Sequence, residues 1–173
     1  ETYEINKSTS AVVPIDENRS RVLEETTEYI VNKSSFEIIE DSCKYFGSTY
    51  QGRYDGTKNL IGMSYKLPII IEGSRNIIFF PLKSIRDKCN IWISFNNLEK
   101  YVKKDDKTVF VFKNGKEVVT ENGVYVYDAR DDGNKDAGSH VTSNYHFGMK
   151  TNIHFYLPND AGQKADDYGN YGN

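Results

Sequence analysis

Two Asn-Gly pairs, Asn114-Gly115 and Asn122-Gly123, stand eight residues apart, each flanked by β-branched or aromatic residues. Such a pair between strands is the strongest short-range signal of a β-hairpin, because both turn residues tolerate φ > 0. Thr108 to Phe112, Lys116 to Thr120 and Val124 to Tyr127 therefore read as a meander over about residues 108–127. Thr27 to Asn32 is β-branched and aromatic, as strands are. Pro68 to Ile71 and Asn76 to Phe80, parted by Glu72-Gly73-Ser74-Arg75, read as a hairpin. Pro81 ends its second strand, since proline cannot donate to a ladder. Ile91 to Phe95 is a further strand. Helical signals are fewer. Ser34 or Ser35 caps a turn leading into Phe36, Ile38 and Ile39, and Asp41-Ser42 opens a second helix that Gly47 stops. Asn96 or Asn97 caps a helix over Leu98 to Lys103, and Gly47 to Gly56 reads as an open, Gly-containing loop. The expected fold class is α+β, mainly antiparallel β-sheet with a few short helices.

Several functions are disfavoured at once. With 173 residues the chain is long enough for one self-sufficient domain, and 13% aromatic residues argue against disorder. No apolar run approaches the ~20 residues that span a bilayer, and no basic-then-apolar opening suggests a signal peptide. Cys43 and Cys89 form neither a dense disulfide framework nor a CxxC pair, so two reduced thiols are expected. His140, His146 and His154 lack the i, i+4 spacing of a helical metal site. The acid pairs, such as Asp105-Asp106 and Asp131-Asp132, are adjacent, and neighbours on a strand point to opposite faces. No P-loop, nucleophile elbow or dinucleotide fingerprint occurs. A non-enzyme without cofactor or metal is expected.

The charge distribution says more than the net of −3. Residues 1–40 carry −5, residues 41–116 carry +7 and residues 117–173 carry −5. A basic middle of this kind suits a polyanion partner, unless its bases pair with acids of the flanks. In that middle, Lys44 adjoins Tyr45 and Phe46, Arg53 lies between Tyr50 and Tyr54, and Lys66 follows Tyr65. Gly47, Ser48, Gly52 and Gly56 leave room for close backbone approach to phosphate.

The block Asp41-Ser42-Cys43-Lys44-Tyr45-Phe46-Gly47-Ser48-Thr49-Tyr50, with Gly52-Arg53 and Gly56-Thr57, is long and specific. Lys66-Leu67-Pro68-Ile69, then Ile77 to Pro81, then Arg86, Cys89 and Trp92-Ile93-Ser94 follow it. On these residues the chain resembles the ComK family, the competence transcription factors of Firmicutes. The resemblance covers about residues 1–127 and is strongest at 41–95.

The resemblance implies a cytoplasmic, nucleoid-associated activator of DNA-uptake genes. It would bind A/T-rich double-stranded DNA through the minor groove as a homo-oligomer. An A-tract has a narrow minor groove whose enhanced negative potential attracts Arg and Lys. Arg53 is the first candidate for insertion into that groove, and Lys44, Lys58, Lys66, Arg75, Arg86 and Lys88 are candidate phosphate contacts. The resemblance further implies an adaptor that delivers the protein to a Clp protease, with Phe155-Tyr156-Leu157-Pro158 where its docking motif would fall. The expected organisation is a DNA-binding core at 1–127, an acidic loop at 128–140, a strand and adaptor-binding segment at 141–158 and a flexible tail at 159–173. The acidic stretch after Asp128 departs from the more basic, helical continuation of the family. A β-rich protein-interaction module and a single-strand binder that stacks bases on aromatics remain as alternatives.

Overall fold

The computed structural model describes residues 2–61, 67–83, 85, 87–104, 107–120, 143–146 and 152–155. A six-stranded antiparallel sheet forms its centre, in the order β3-β2-β1-β6-β5-β4. Its strands are β1 (Thr9–Asp16), β2 (Arg19–Glu24), β3 (Glu28–Val31), β4 (Ile69–Glu72), β5 (Ile77–Pro81) and β6 (Trp92–Ser94). Helices α1 (Ser35–Tyr45) and α2 (Tyr50–Ile61) join β3 to β4, the two outer strands of this sheet. A three-stranded meander, β7 (Leu98–Lys104), β8 (Lys107–Phe112) and β9 (Glu117–Thr120), follows, and β10 (Ser143–His146) pairs with β11 (Asn152–Phe155). The α+β, mainly antiparallel expectation holds.

Side chains on a strand alternate between faces, so a continuous apolar run demands cover on both. Strand β5 is such a run, Ile-Ile-Phe-Phe-Pro, and every residue of it is buried. Val12, Val22, Ile77, Phe79 and Trp92 form one core with Ile38, Ile39 and Cys43 of α1. Their neighbours Ala11, Leu23, Ile78, Phe80 and Ile93 form a second core with Leu98, Phe110, Phe112 and Val118 of the meander. The molecule is thus layered: helices, six-stranded sheet, three-stranded sheet.

Local chemistry explains where the helices begin and end. Ser34 Oγ accepts from the Glu37 N–H at 3.1 Å, and Glu37 Oε2 accepts from the Ser34 N–H at 2.8 Å, a reciprocal capping box. The helix does not restart at Asp41-Ser42 as the sequence suggested. Ser42 Oγ instead donates to Ile38 O and accepts from the Ile5 N–H, tying the N-terminal arm to the middle of α1. Gly47, at φ +84°, ends α1 with a Schellman pair: its N–H donates to Lys44 O, and the Ser48 N–H donates to Cys43 O.

The expected open loop from Gly47 to Gly56 is a correction: after a tight turn the chain is helical from Tyr50. Two glycines disfavour a helix by about 1 kcal/mol each relative to alanine. Tertiary partners outweigh them. Thr49 Oγ1 accepts from the Gly52 N–H at 3.0 Å, and Glu40 of α1 accepts from the Tyr50 N–H at 2.7 Å. A Cβ on Gly52 would lie 3.0 Å from Ser48 Oγ, so that glycine also fits the tight turn.

The expected helix over Leu98 to Lys103 is a second correction, since these residues belong to β7. Asn96 and Asn97 spend their side chains on carbonyls of Asn76, Lys7 and Thr9 rather than on a helix end. The hairpin at Asn114-Gly115 forms as expected, with a different turn. Only Gly115 takes positive φ there, and the Gly115 N–H donates to Phe112 O, a type I turn with a left-handed residue after it. Asn76, at φ +56°, does the same in the β4–β5 hairpin. Asn122-Gly123 and Val124 to Tyr127 lie outside the described residues. No helix among the described residues is long and apolar enough to cross a membrane.

Candidate nucleic-acid interface

The candidate cations divide into groups. Lys44 sits in the last turn of α1, exposed, with Glu40 Oε1 at 3.6 Å. An exposed pair of this kind contributes little and leaves the ammonium available. Arg53 stands on α2 rather than in a loop, half-buried, and its Nε is enclosed with no hydrogen-bond partner among the described residues. Arg75 is exposed in the β4–β5 turn, and its guanidinium covers the Phe46 ring at 5.9 Å, within cation–π range.

Shared neighbours link two of these three. Glu72 is held below the usual carboxylate range first by the Ser74 hydroxyl, then by the Ser74 N–H, with the charges of Arg53 and Arg75 adding to the effect. The Cys43 thiol feels Arg53, and Cys43 is the residue before Lys44. Arg53 and Arg75 thus both act on Glu72, and Arg75 also covers Phe46, which ends α1; Lys44 stands two residues before Phe46, paired with Glu40. Lys58 is exposed farther along α2. Lys88 is elsewhere: its carbonyl accepts from Ser35 Oγ at the opposite end of α1, about 13 Å of helix away from Lys44. Lys66 and Arg86 lie outside the described residues.

Two more cations meet Arg75 from distant parts of the chain. Lys7, Arg75 and Lys113 border one groove of about 430 Å³, together with Glu25, Asn96 and Asn97. Sequence reading passed over Lys7 because it lies in the acidic first forty residues, and over Lys113 because it follows a strand without a basic neighbour. Nothing local to either residue marks it.

Tyr50, Arg53, Tyr54 and Thr57 are spaced to share one face of α2. Tyr50 packs edge-on to Trp92 with ring centres 6.1 Å apart and lies 5.0 Å from the ring of Phe36. The Tyr50 and Thr57 hydroxyls and the Trp92 indole N–H are buried without partners among the described residues. The inner face of α2 is therefore unusually polar for a packed helix.

Of the two free cysteines, Cys43 is buried and Cys89 half-buried. Burial, helped by the Glu40 carboxylate and opposed by Arg53, pushes the Cys43 thiol up to about 12. At pH 8 only about one part in ten thousand of such a thiol is thiolate, the reactive form. A maleimide at that pH should label Cys89 and spare Cys43 in native protein, and label both in urea, as peptide mass mapping would read. Labelling of Cys43 in native protein would mean that α1 lifts readily from the sheet. Among the described residues no cluster of three His, Cys, Asp or Glu could hold a metal ion.

In the adaptor segment, Phe155 ends β11 with Ser143 as its register partner, while Tyr156, Leu157 and Pro158 lie outside the described residues.

No solved structure matches the chain. Among curated proteins, the competence transcription factor of Bacillus subtilis (strain 168) is 36% identical over 121 residues, covering 67% of this chain. The chain spans 62% of that relative's length. The family model described as ComK protein matches residues 1–122, a range that takes in all three layers, Lys44, Arg53, Arg75 and the groove that Arg75 borders. The chain belongs to the ComK protein family.

Proposed function

We propose that this protein is a transcription activator of competence genes that binds A/T-rich duplex DNA through the minor groove, without catalysis or cofactor. The observation that carries the reading is membership of a family whose curated relative is a competence transcription factor, with Arg53 and Arg75 both acting on Glu72 as support for a cationic region. Neither Arg53 nor Arg75 takes part in an ion pair among the described residues. Counterion release from phosphate gives such cations their binding energy. The minor groove separates A·T from G·C and little more, so groove width supplies the rest of the readout. Lys58, Lys66, Arg86 and Lys88 are further phosphate contacts in this reading. The family resemblance supports assembly as a homo-oligomer on DNA in the cytoplasm. It also supports docking of Phe155-Tyr156-Leu157-Pro158 on an adaptor of a Clp protease, although this segment falls beyond the matched range.

A gel-shift titration over a salt series, with A/T-rich duplex, G·C duplex and single strand as probes, tests the reading. Preference for A/T-rich duplex, with affinity falling steeply as salt rises, is expected. Preference for single strand would favour base stacking instead. No binding at low salt would favour a protein-interaction module.

A further inference from the structure

The groove between the strand ends has the construction of a prepared anion site. Its three cations come from the N-terminal arm, the β4–β5 turn and the β8–β9 turn, and each is exposed. Among the described residues none of Lys7, Arg75 and Lys113 takes part in an ion pair, although five such pairs form elsewhere. Among the described residues Glu25 is the one carboxylate on the groove lining, so the rim keeps a positive excess.

The loops that carry these cations are fastened to one another. Asn97 Nδ2 donates to Lys7 O at 2.9 Å and to Thr9 O at 3.0 Å, and Asn97 O accepts from the Lys113 N–H at 2.9 Å. Asn96 Nδ2 donates to Asn76 O, next to Arg75. Asn114 Nδ2 donates to Glu25 O at 2.8 Å, and Lys116 Nζ donates to Glu24 O at 2.8 Å. Residues about ninety positions apart are thus held in fixed register by side chains of the Asn96-Asn97 turn. A cationic rim fixed before binding loses less conformational entropy when it meets its ligand. These bonds use the main chain of Lys7 and Lys113, which leaves both ammonium groups unengaged.

We propose that Lys7, Arg75 and Lys113 form a second phosphate-binding station for duplex DNA, beside the cations of the basic middle of the sequence. The inference rests on the duplex-binding reading above and adds to it a site that the basic middle of the sequence does not reveal.

The test uses the full chain, an A/T-rich and a G·C duplex, and fluorescence anisotropy between about 50 and 200 mM salt. The variants are Lys7→Ala/Lys113→Ala and, as control, Lys107→Ala, an exposed lysine at the start of β8, the other end of that strand. Exposed substitutions of this kind shift stability by no more than about 0.5 kcal/mol, so the variants should fold. The double variant is expected to lower the slope of log affinity against log salt by about two, equally on both duplexes, and the control to leave it unchanged. A double variant with the wild-type slope would overturn the groove as a phosphate site while leaving duplex binding intact. A wild-type protein without salt-dependent duplex binding would remove the reading and the groove together.

Discussion

Phe80→Ala and Phe79→Ala are each expected to cost about 3–5 kcal/mol of stability, read as a fall in the urea midpoint by circular dichroism. The two residues are neighbours on β5 and nearly fully buried, at 0% and 1% exposure. They point to opposite faces of the six-stranded sheet. Phe79 packs with Ile38, Ile39 and Trp92 under the helices, while Phe80 packs with Phe110, Phe112 and Leu98 under the meander. A two-layer molecule would bury only one of them, and its exposed partner would tolerate alanine at about 0.5 kcal/mol or less. The pair of substitutions therefore measures the layering itself. Against the ~5–15 kcal/mol of a typical domain, either variant loses a large fraction of the total. A small loss for Phe80→Ala would detach the meander from the core of the protein.

The same strand shows what a sequence discloses. A run of apolar residues four or five long announces a strand, and β4, β5 and β6 were legible for that reason; β8 was marked by the Asn114-Gly115 pair that follows it. Strands β1 and β2 were not. Pro14 interrupts one and Arg19 and Arg21 punctuate the other, so neither forms a clean run. Pro14 lies beyond Ala11 and Val12, where β1 pairs with β6, and is followed by a register shift in its pairing with β2. Leu98 to Lys104 consists largely of residues at home in a helix, and only its pairing with β8 makes it a strand. Helix α2 was hidden by Gly52 and Gly56, whose cost is met by Thr49 and by Glu40 from another helix.

The site was legible in part for a similar reason. Lys44 and Arg53 are close in sequence and carry a specific motif, and Arg75 lies in a turn that the hairpin pattern announces. That Arg53 and Arg75 act on one carboxylate, Glu72, and that Arg75 covers Phe46 is something no spacing rule supplies. Lys7 and Lys113 join them only through the hydrogen bonds of Asn97, across about ninety residues of chain.

Arg53→Ala and Lys58→Ala are expected to separate groove reading from phosphate contact on a single helix. Lys58 is exposed, about 140° farther round α2 than Arg53. Its ammonium is mobile and hydrated, suited to a phosphate of any sequence. Arg53 is half-buried, three residues after Tyr50 and next to Tyr54 on α2, so its stem is held. A guanidinium fixed in this way loses less entropy on entering a narrow groove than a free one, and an A-tract offers the stronger negative potential. Arg53→Ala should then weaken A/T-rich duplex by about 1–3 kcal/mol, roughly 5- to 150-fold, and G·C duplex much less. Lys58→Ala should weaken both alike and lower the salt slope by about one. Because Arg53 Nε has no partner among the described residues, its loss strips no such bond from the fold, and an unchanged circular dichroism spectrum is the control. Should both variants lose equally on both duplexes, Arg53 is one more phosphate contact, and the A·T preference must be carried by another residue or by the shape of the DNA.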